Sequence, residues 1–240
     1  MSSSRREFLR LSGATVAGLT RVGRSLAQPA PAAGPAPQPS TRPAADEVLR
    51  LLLEGNERFG EGRSASPRRK PADFSALAEG QAPVAVILGC ADSRVAPEIL
   101  FDQGVGDLFV VRVAGNVVDG AGVTVKGSIE YAVAELRVPL VMVLGHSNCG
   151  AVQAAIKHLD AHDALPGAIN GLVALIKPAV AKIQGKSGDK LDNAIRANVE
   201  AGVARLKTLA PILAQAVSQG QVKVVGATYD LRSGRVMVVA

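Results

Sequence analysis

Two short apolar runs, each ending in glycine and each followed by chemically reactive residues, constrain the fold of this chain most strongly. They span residues 84–89 and 140–145. Runs of this length that are rich in β-branched residues are typical of strands buried on both faces of a parallel sheet. Open parallel sheets bind ligands outside the carboxyl ends of their strands. The residues that follow each glycine are therefore the first candidates for a functional site.

The remaining pattern alternates strand and helix, which predicts an α/β fold with a mostly parallel β-sheet flanked by α-helices. An antiparallel edge strand is expected at the C-terminus, because residues 222–228 and 235–239 are two strand-like runs joined by a turn. Another strand is expected at 107–113. Helices are expected at 46–59 with Asp46 as N-cap, 123–137, from about 149, 168–184 and 190–209. Aromatic residues are only 3% of the chain, so Val, Leu, Ile and Ala must form the core.

The N-terminal segment differs in composition from the rest. Arg5 and Arg6 precede a mildly apolar stretch at 11–19, and small residues near Ala27 offer a cleavage site. This pattern predicts a twin-arginine export signal at 1–27, with a disordered basic tail as the alternative. A Pro/Ala-rich linker is expected at 28–45 and a zinc-dependent catalytic domain at 46–240. The expected location is the periplasm of a bacterium or its exterior, or the cytoplasm if the signal is not functional.

The charge of the chain lies largely in that segment. Residues 1–27 hold five of the 27 basic residues and one of the 21 acidic residues, which leaves 22 against 20 in the rest. A body so nearly neutral does not indicate a nucleic-acid partner. No apolar run is long enough to span a bilayer, so stable membrane insertion is not expected.

The only two cysteines stand directly after or near the two apolar runs. Cys90 is followed by Asp92 and Arg94, while His146 and Cys149 bracket a turn. The two thiols could form a disulfide, remain inert in the core, or include a nucleophile. A zinc ion is favoured, because thiolates, imidazole and carboxylate at ligand spacing meet at one sheet edge.

These motifs resemble the β-class carbonic anhydrases. The similarity extends beyond Cys90–Arg94 and His146–Val152 to about residues 46–240, and it is clearest at 53–59, 109–116 and 128–132. The resemblance implies one Zn²⁺ per subunit held by Cys90, His146 and Cys149, with water or Asp92 in the fourth position. It also implies a homodimer or a dimer of dimers.

The implied reaction is the reversible hydration of carbon dioxide to bicarbonate and a proton by a zinc-bound hydroxide. An Asp92–Arg94 dyad would control the fourth zinc position and orient the hydroxide. The resemblance assigns the substrate pocket to further positions, with the first and last of them supplied across the dimer interface: Gln81, Phe109, Ala114 and Tyr131.

Other hypotheses stay open at this point. The same zinc site could hydrolyse carbonyl sulfide or carbon disulfide, or the protein could be a non-catalytic bicarbonate sensor. A separate pair, His158 and His162, has the i, i+4 spacing of metal ligands, but the glutamate of the H-E-x-x-H motif is missing. A solvated helix face is the preferred interpretation of that pair.

Overall fold

Five strands form one sheet, and the end of that sheet positions the site. The computed structural model describes residues 42–119, 122–161 and 163–240. The strands are β1 (Ala85–Gly89), β2 (Leu108–Arg112), β3 (Leu140–His146), β4 (Lys223–Tyr229) and β5 (Val236–Val238). Their order across the sheet is β2-β1-β3-β4-β5. The first four are parallel and β5 is antiparallel to β4, which confirms the predicted fold class.

The register between β1 and β3 brings the two candidate motifs to the same level. Ala85 lies opposite Leu140, and Gly89 lies opposite Leu144. Cys90 therefore leaves the sheet beside the last residues of β3. Every residue of both strands is buried, as expected for central strands covered on both faces.

Helices cover both faces of the sheet. In the described residues they are α1 (Ala45–Gly60), α2 (Pro97–Leu100), α3 (Val123–Ala134), α4 (Gly150–Asp160), α5 (Gly167–Ala181), α6 (Lys190–Lys207) and α7 (Ile212–Ser218). Alternate strand residues face opposite layers. Val86 and Val141 pack with α3, α6 and α7, whereas Ile87 and Met142 pack with α1 and α2. A third apolar cluster from α4, α5 and α6 surrounds the two cysteines.

Three details differ from the sequence-based expectations. The first helix begins at Ala45 with Ala44 as its N-cap, so the assignment of Asp46 as N-cap is wrong. Asp46 lies in the first turn, where a carboxylate is favoured by the helix dipole, and it pairs with Lys223 at 2.5 Å. Helix α3 stops at Ala134, before the backbone turns left-handed at Arg137 (φ 52°). Helices α2 and α7 were not predicted, because four and seven residues are too short to show helical periodicity.

Some predictions concern residues that the structure does not describe. The proposed export signal, most of the linker and His162 all lie outside the described residues. The described residues belong to one unit, Gly34–Ala240, while Met1–Ala33 forms a separate unit. Among the described helices, none has both the length and the apolar character that crossing a membrane requires.

Candidate metal centre

Three predicted ligands converge at the carboxyl end of the sheet. Cys90 directly follows β1, His146 ends β3, and Cys149 is the residue that caps α4. One donor atom from each of these residues lies within 4.8 Å of the other two. All three residues are buried, and His146 is 0% exposed. The parallel register explains this convergence, because it aligns the ends of two strands that are far apart in sequence.

The imidazole of His146 has a defined orientation. Its Nδ1 lies 2.9 Å from the main-chain oxygen of Ser147. A carbonyl oxygen only accepts hydrogen bonds, so Nδ1 carries the proton and Nε2 carries the free lone pair. Nε2 is buried and has no hydrogen-bond partner in the structure. A buried, unpartnered ring nitrogen facing two thiols fits a metal ion, and these donor types suit zinc.

The two cysteines are free and share their charge. A hydrogen bond from Cys149 lowers the pKa of the Cys90 thiol to about 4, and the main-chain N–H of Gly115 also donates to its sulfur at 3.2 Å. The pKa of Cys149 is raised, because its thiol donates to Cys90 and because it is buried. Repulsion between two buried thiolates opposes ionisation of both. A divalent cation between them would remove this obstacle, since metal binding requires deprotonated thiols.

Asp92 and Arg94 form a bidentate pair beside these donors. Arg94 Nε donates to Asp92 Oδ1 at 2.9 Å, and Arg94 Nη2 donates to Oδ2 at 2.7 Å. The side-chain hydrogen bonds from Arg94 hold the pKa of Asp92 well below its usual range. Asp92 Oδ2 lies 3.8 Å from His146 Nε2, yet the carboxylate is not part of the three-residue donor group found among the described residues.

Residues that the sequence analysis did not single out hold the Cys90–Asp92 loop. Arg112, at the end of β2, donates through Nε to the main-chain oxygen of Cys90 at 2.9 Å and through Nη2 to that of Asp92. Asn198 of α6 donates to the main-chain oxygen of Gly115 at 2.8 Å. Gly115 has φ 73°, and a Cβ there would meet Ile176 at 2.6 Å, so glycine is required. An arginine at the end of a predicted buried strand was the available signal.

The predicted substrate residues do not all meet at the metal donors of one chain. Ala114 does lie nearby, because it precedes Gly115. Phe109 pairs with Val86, four residues before Cys90, which places it about 13 Å back along the strand. The Tyr131 ring packs 6.4 Å from the Phe109 ring and is therefore also displaced. Gln81 is exposed and precedes β1 at the opposite end of the sheet.

Known proteins with similar sequences and folds share one description. A family profile described as carbonic anhydrase matches residues 85–236. Carbonic anhydrase 2 of Mycobacterium tuberculosis is 43% identical over 200 residues, covering 83% of this chain and 94% of that protein. A Coccomyxa β-carbonic anhydrase solved with acetazolamide has TM-score 0.63 and 33% identity, covering 80% and 86% of the two chains. One of two tetrameric β-carbonic anhydrases from Sordaria macrospora has TM-score 0.63 and 26% identity, covering 81% and 98%.

Proposed function

Since the chain belongs to the β-class carbonic anhydrase family, we propose that it hydrates carbon dioxide reversibly to bicarbonate and a proton, using zinc held by Cys90, His146 and Cys149. The observation that carries this proposal is the buried, unpartnered Nε2 of His146, which faces two free thiols. The adjacent Asp92–Arg94 pair adds a carboxylate that can approach or leave the same space. A site that only stabilises the fold has no use for such a group.

The chain's own residues would have distinct tasks. Zinc in this position would act as a Lewis acid and provide a hydroxide nucleophile near neutral pH. Arg94 keeps Asp92 ionised and turned away from the metal donors. In that position Asp92 would accept a hydrogen bond from the nucleophile and direct its lone pair at carbon dioxide. If the pair with Arg94 breaks, the Asp92 carboxylate would take the fourth ligand position and close the site.

Replacement of Asp92 tests this assignment. We expect Asp92→Ala to abolish carbon dioxide hydration while zinc content stays near one per chain, because the three ligands remain. Asp46→Ala is a suitable control, since Asp46 is an exposed carboxylate that pairs with Lys223. Hydration would be followed by stopped-flow with a pH indicator, and zinc by a colorimetric chelator. Activity retained in the Asp92 variant would contradict the proposed role.

The other hypotheses have different standing. A non-catalytic sensor is disfavoured, because the relatives that cover most of the chain are carbonic anhydrases. Hydrolysis of carbonyl sulfide or carbon disulfide depends on access to the pocket, and a side-by-side measurement of hydration and sulfide release separates it from carbon dioxide hydration. Sulfide release faster than hydration would reverse the assignment of the substrate.

We further propose that the active form is a homodimer or a dimer of dimers, with Gln81 and Tyr131 completing the partner's pocket. Both residues lie away from the metal donors of their own chain, and Tyr131 is 49% exposed on α3. Mixing an inactive Asp92→Ala chain with an inactive Tyr131→Ala chain should restore partial activity, because mixed dimers would contain one intact site. No restoration, with exchange of subunits verified by light scattering of tagged chains, would contradict this arrangement.

Export through the twin-arginine route remains part of the proposal. A folded, metal-loaded enzyme suits a route that carries folded proteins. Replacing both Arg5 and Arg6 by Lys should retain the protein in the cytoplasm, as measured by cell fractionation. Periplasmic recovery equal to that of the unmodified chain would refute the signal.

A further inference from the structure

Ser147, which follows the proposed ligand His146, is held by the turn between β4 and β5. Its N–H donates to the main-chain oxygen of Tyr229 at 2.9 Å. Its hydroxyl donates to Asp230 Oδ1 at 3.1 Å and accepts the N–H of Leu231 at 2.9 Å. Because both its main chain and its side chain are held, the direction of its carbonyl group is set by this turn.

That carbonyl group in turn sets the state of the His146 ring. The contact at 2.9 Å between Nδ1 and the Ser147 oxygen is the hydrogen bond that this ring forms within the described structure. Loss of the contact would allow the proton to move to Nε2, and a protonated Nε2 cannot bind a metal. The direction of one carbonyl group therefore decides whether the ring presents a lone pair to Cys90 and Cys149.

Asp230 organises the turn that holds Ser147. Its carboxylate accepts the N–H groups of Arg232 and Ser233 at 3.2 and 3.1 Å, and the Ser233 hydroxyl at 2.7 Å. The hydrogen bond from Ser233 and the neighbouring N–H groups keep the pKa of Asp230 below its usual range. An ionised carboxylate only accepts, so the Ser147 hydroxyl must be the donor in their contact.

We propose that Asp230, acting through Ser147, is a positioning residue that keeps His146 protonated on Nδ1 and its Nε2 directed at the metal. This inference rests on the proposed zinc site, which Asp230 itself does not touch. Groups that orient a metal ligand from outside the coordination sphere typically change metal affinity by about 10- to 100-fold when they are removed.

Zinc affinity of the purified full chain, measured by competition with a chromophoric chelator, tests the proposal. Asp230→Ala and Ser147→Ala should each weaken zinc binding by about 10- to 100-fold. Ser147→Thr keeps the hydroxyl and should bind zinc like the unmodified chain. The double Ala variant should be no weaker than the weaker single variant, because the two residues act as one unit.

A matched control lies on the same surface. Arg196 lines a cavity of about 470 Å³ together with Ser147 and Asp230, and it has no hydrogen bond to either residue in the described structure. Arg196→Ala should therefore leave zinc affinity unchanged. Unchanged affinity in folded Asp230→Ala and Ser147→Ala proteins, verified by circular dichroism, would overturn the proposal.

A second measurement does not depend on bound zinc. In the zinc-free protein labelled with ¹⁵N-histidine, the nitrogen shifts of His146 should show the Nδ1-protonated tautomer, and Ser147→Ala should shift the population toward the other tautomer. If Asp230→Ala fails to fold, the comparison of Ser147→Ala with Ser147→Thr decides the question. If the unmodified chain binds no zinc, the proposed function fails, whereas the tautomer measurement still tests the positioning of His146.

Discussion

At the scale of single residues, buried polar groups in this protein are tied to specific partners. Asp102 is 1% exposed and has a left-handed backbone (φ 49°). Its carboxylate accepts Arg58 Nε at 2.7 Å and the N–H groups of Ala65 and Ser66 at 2.9 and 2.8 Å. Burial by itself would raise the pKa of Asp102, but these hydrogen bonds outweigh it and lower the pKa below its usual value. Asp102 thus attaches the loop after α1 to the end of α2.

This arrangement predicts how stability responds to acid. Because the pKa of Asp102 is lower in the folded than in the unfolded state, its contribution is present above the unfolded value of about 4 and is lost as the pH falls through the folded value. Urea midpoints measured from pH 7 to 3 should fall in the unmodified chain below about pH 4, and less steeply in Asp102→Asn. Parallel curves for the two proteins would show that Asp102 does not contribute to the acid response.

The residue scale also sets the expected pH dependence of activity. Two thiolates neutralise the charge of a divalent cation, so such a centre should acidify water less than the three-histidine site for which a pKa of about 7 is known. We expect carbon dioxide hydration to rise from below pH 7 to above pH 8. A rate that stays constant across this range, measured in buffers of constant ionic strength, would contradict the proposed ligand set.

At the scale of elements, α1 connects the two ends of the chain. Asn56, on its buried face, donates through Nδ2 to the main-chain oxygens of Leu100 and Gly234 at 3.0 and 2.8 Å. Its Oδ1 accepts the N–H of Val236 at 2.7 Å. One side chain therefore joins α1 to α2 and to β5. The close approach that makes this possible requires Gly55, because a Cβ there would lie 1.9 Å from the main-chain oxygen of Phe101.

Two glycine substitutions separate packing from helix propensity. Alanine is favoured over glycine inside a helix by about 1 kcal/mol. Gly171→Ala in α5, where a Cβ meets nothing within 4 Å, should therefore increase the free energy of unfolding by about 0.5–1 kcal/mol. Gly55→Ala should instead lower it by about 1–3 kcal/mol, because the added methyl group forces the backbone of α1 away from Phe101. Urea denaturation of both variants checks this, and a stabilised Gly55→Ala protein would contradict the packing.

At the scale of the whole molecule, the metal site joins parts of the fold that are remote in sequence. Cys90 and His146 are 56 residues apart, and they end different strands of the sheet. The unfolded chain cannot hold these donors together, so metal bound by them stabilises the folded state by mass action. Metal occupancy and stability should therefore be linked.

Metal removal measures this linkage. Zinc at 100 times its dissociation constant adds about 2.7 kcal/mol to the free energy of unfolding, which corresponds to a rise in Tm of about 5–10 °C for a chain of this size. Dialysis against a chelator should lower Tm by that amount, and added zinc should restore it. Cys149→Ser is the control, because its Tm should no longer respond to the chelator. An equal response in that variant would place the stabilising metal elsewhere.

Local pattern was sufficient for much of this protein. The two apolar runs predicted β1 and β3, because buried central strands need continuous apolar sequence. The donors placed after them predicted where a metal site would form, because the carboxyl ends of parallel strands share one edge. The short helices α2 and α7 and the true start of α1 were not predictable, since they lack periodicity or depend on capping geometry.

The amino-acid sequence by itself determined the strands, the sheet edge and the chemical nature of the donors, because these follow from residue types over a few positions. Tertiary structure alone decided which nitrogen of His146 faces the thiols, how Arg112 holds the Cys90 loop, and why Phe109 lies away from its own metal donors. Those features depend on strand register and on hydrogen bonds between residues far apart in sequence, such as the one from Ser147 to Asp230. No local pattern encodes such partners, because they become neighbours only when the sheet has formed.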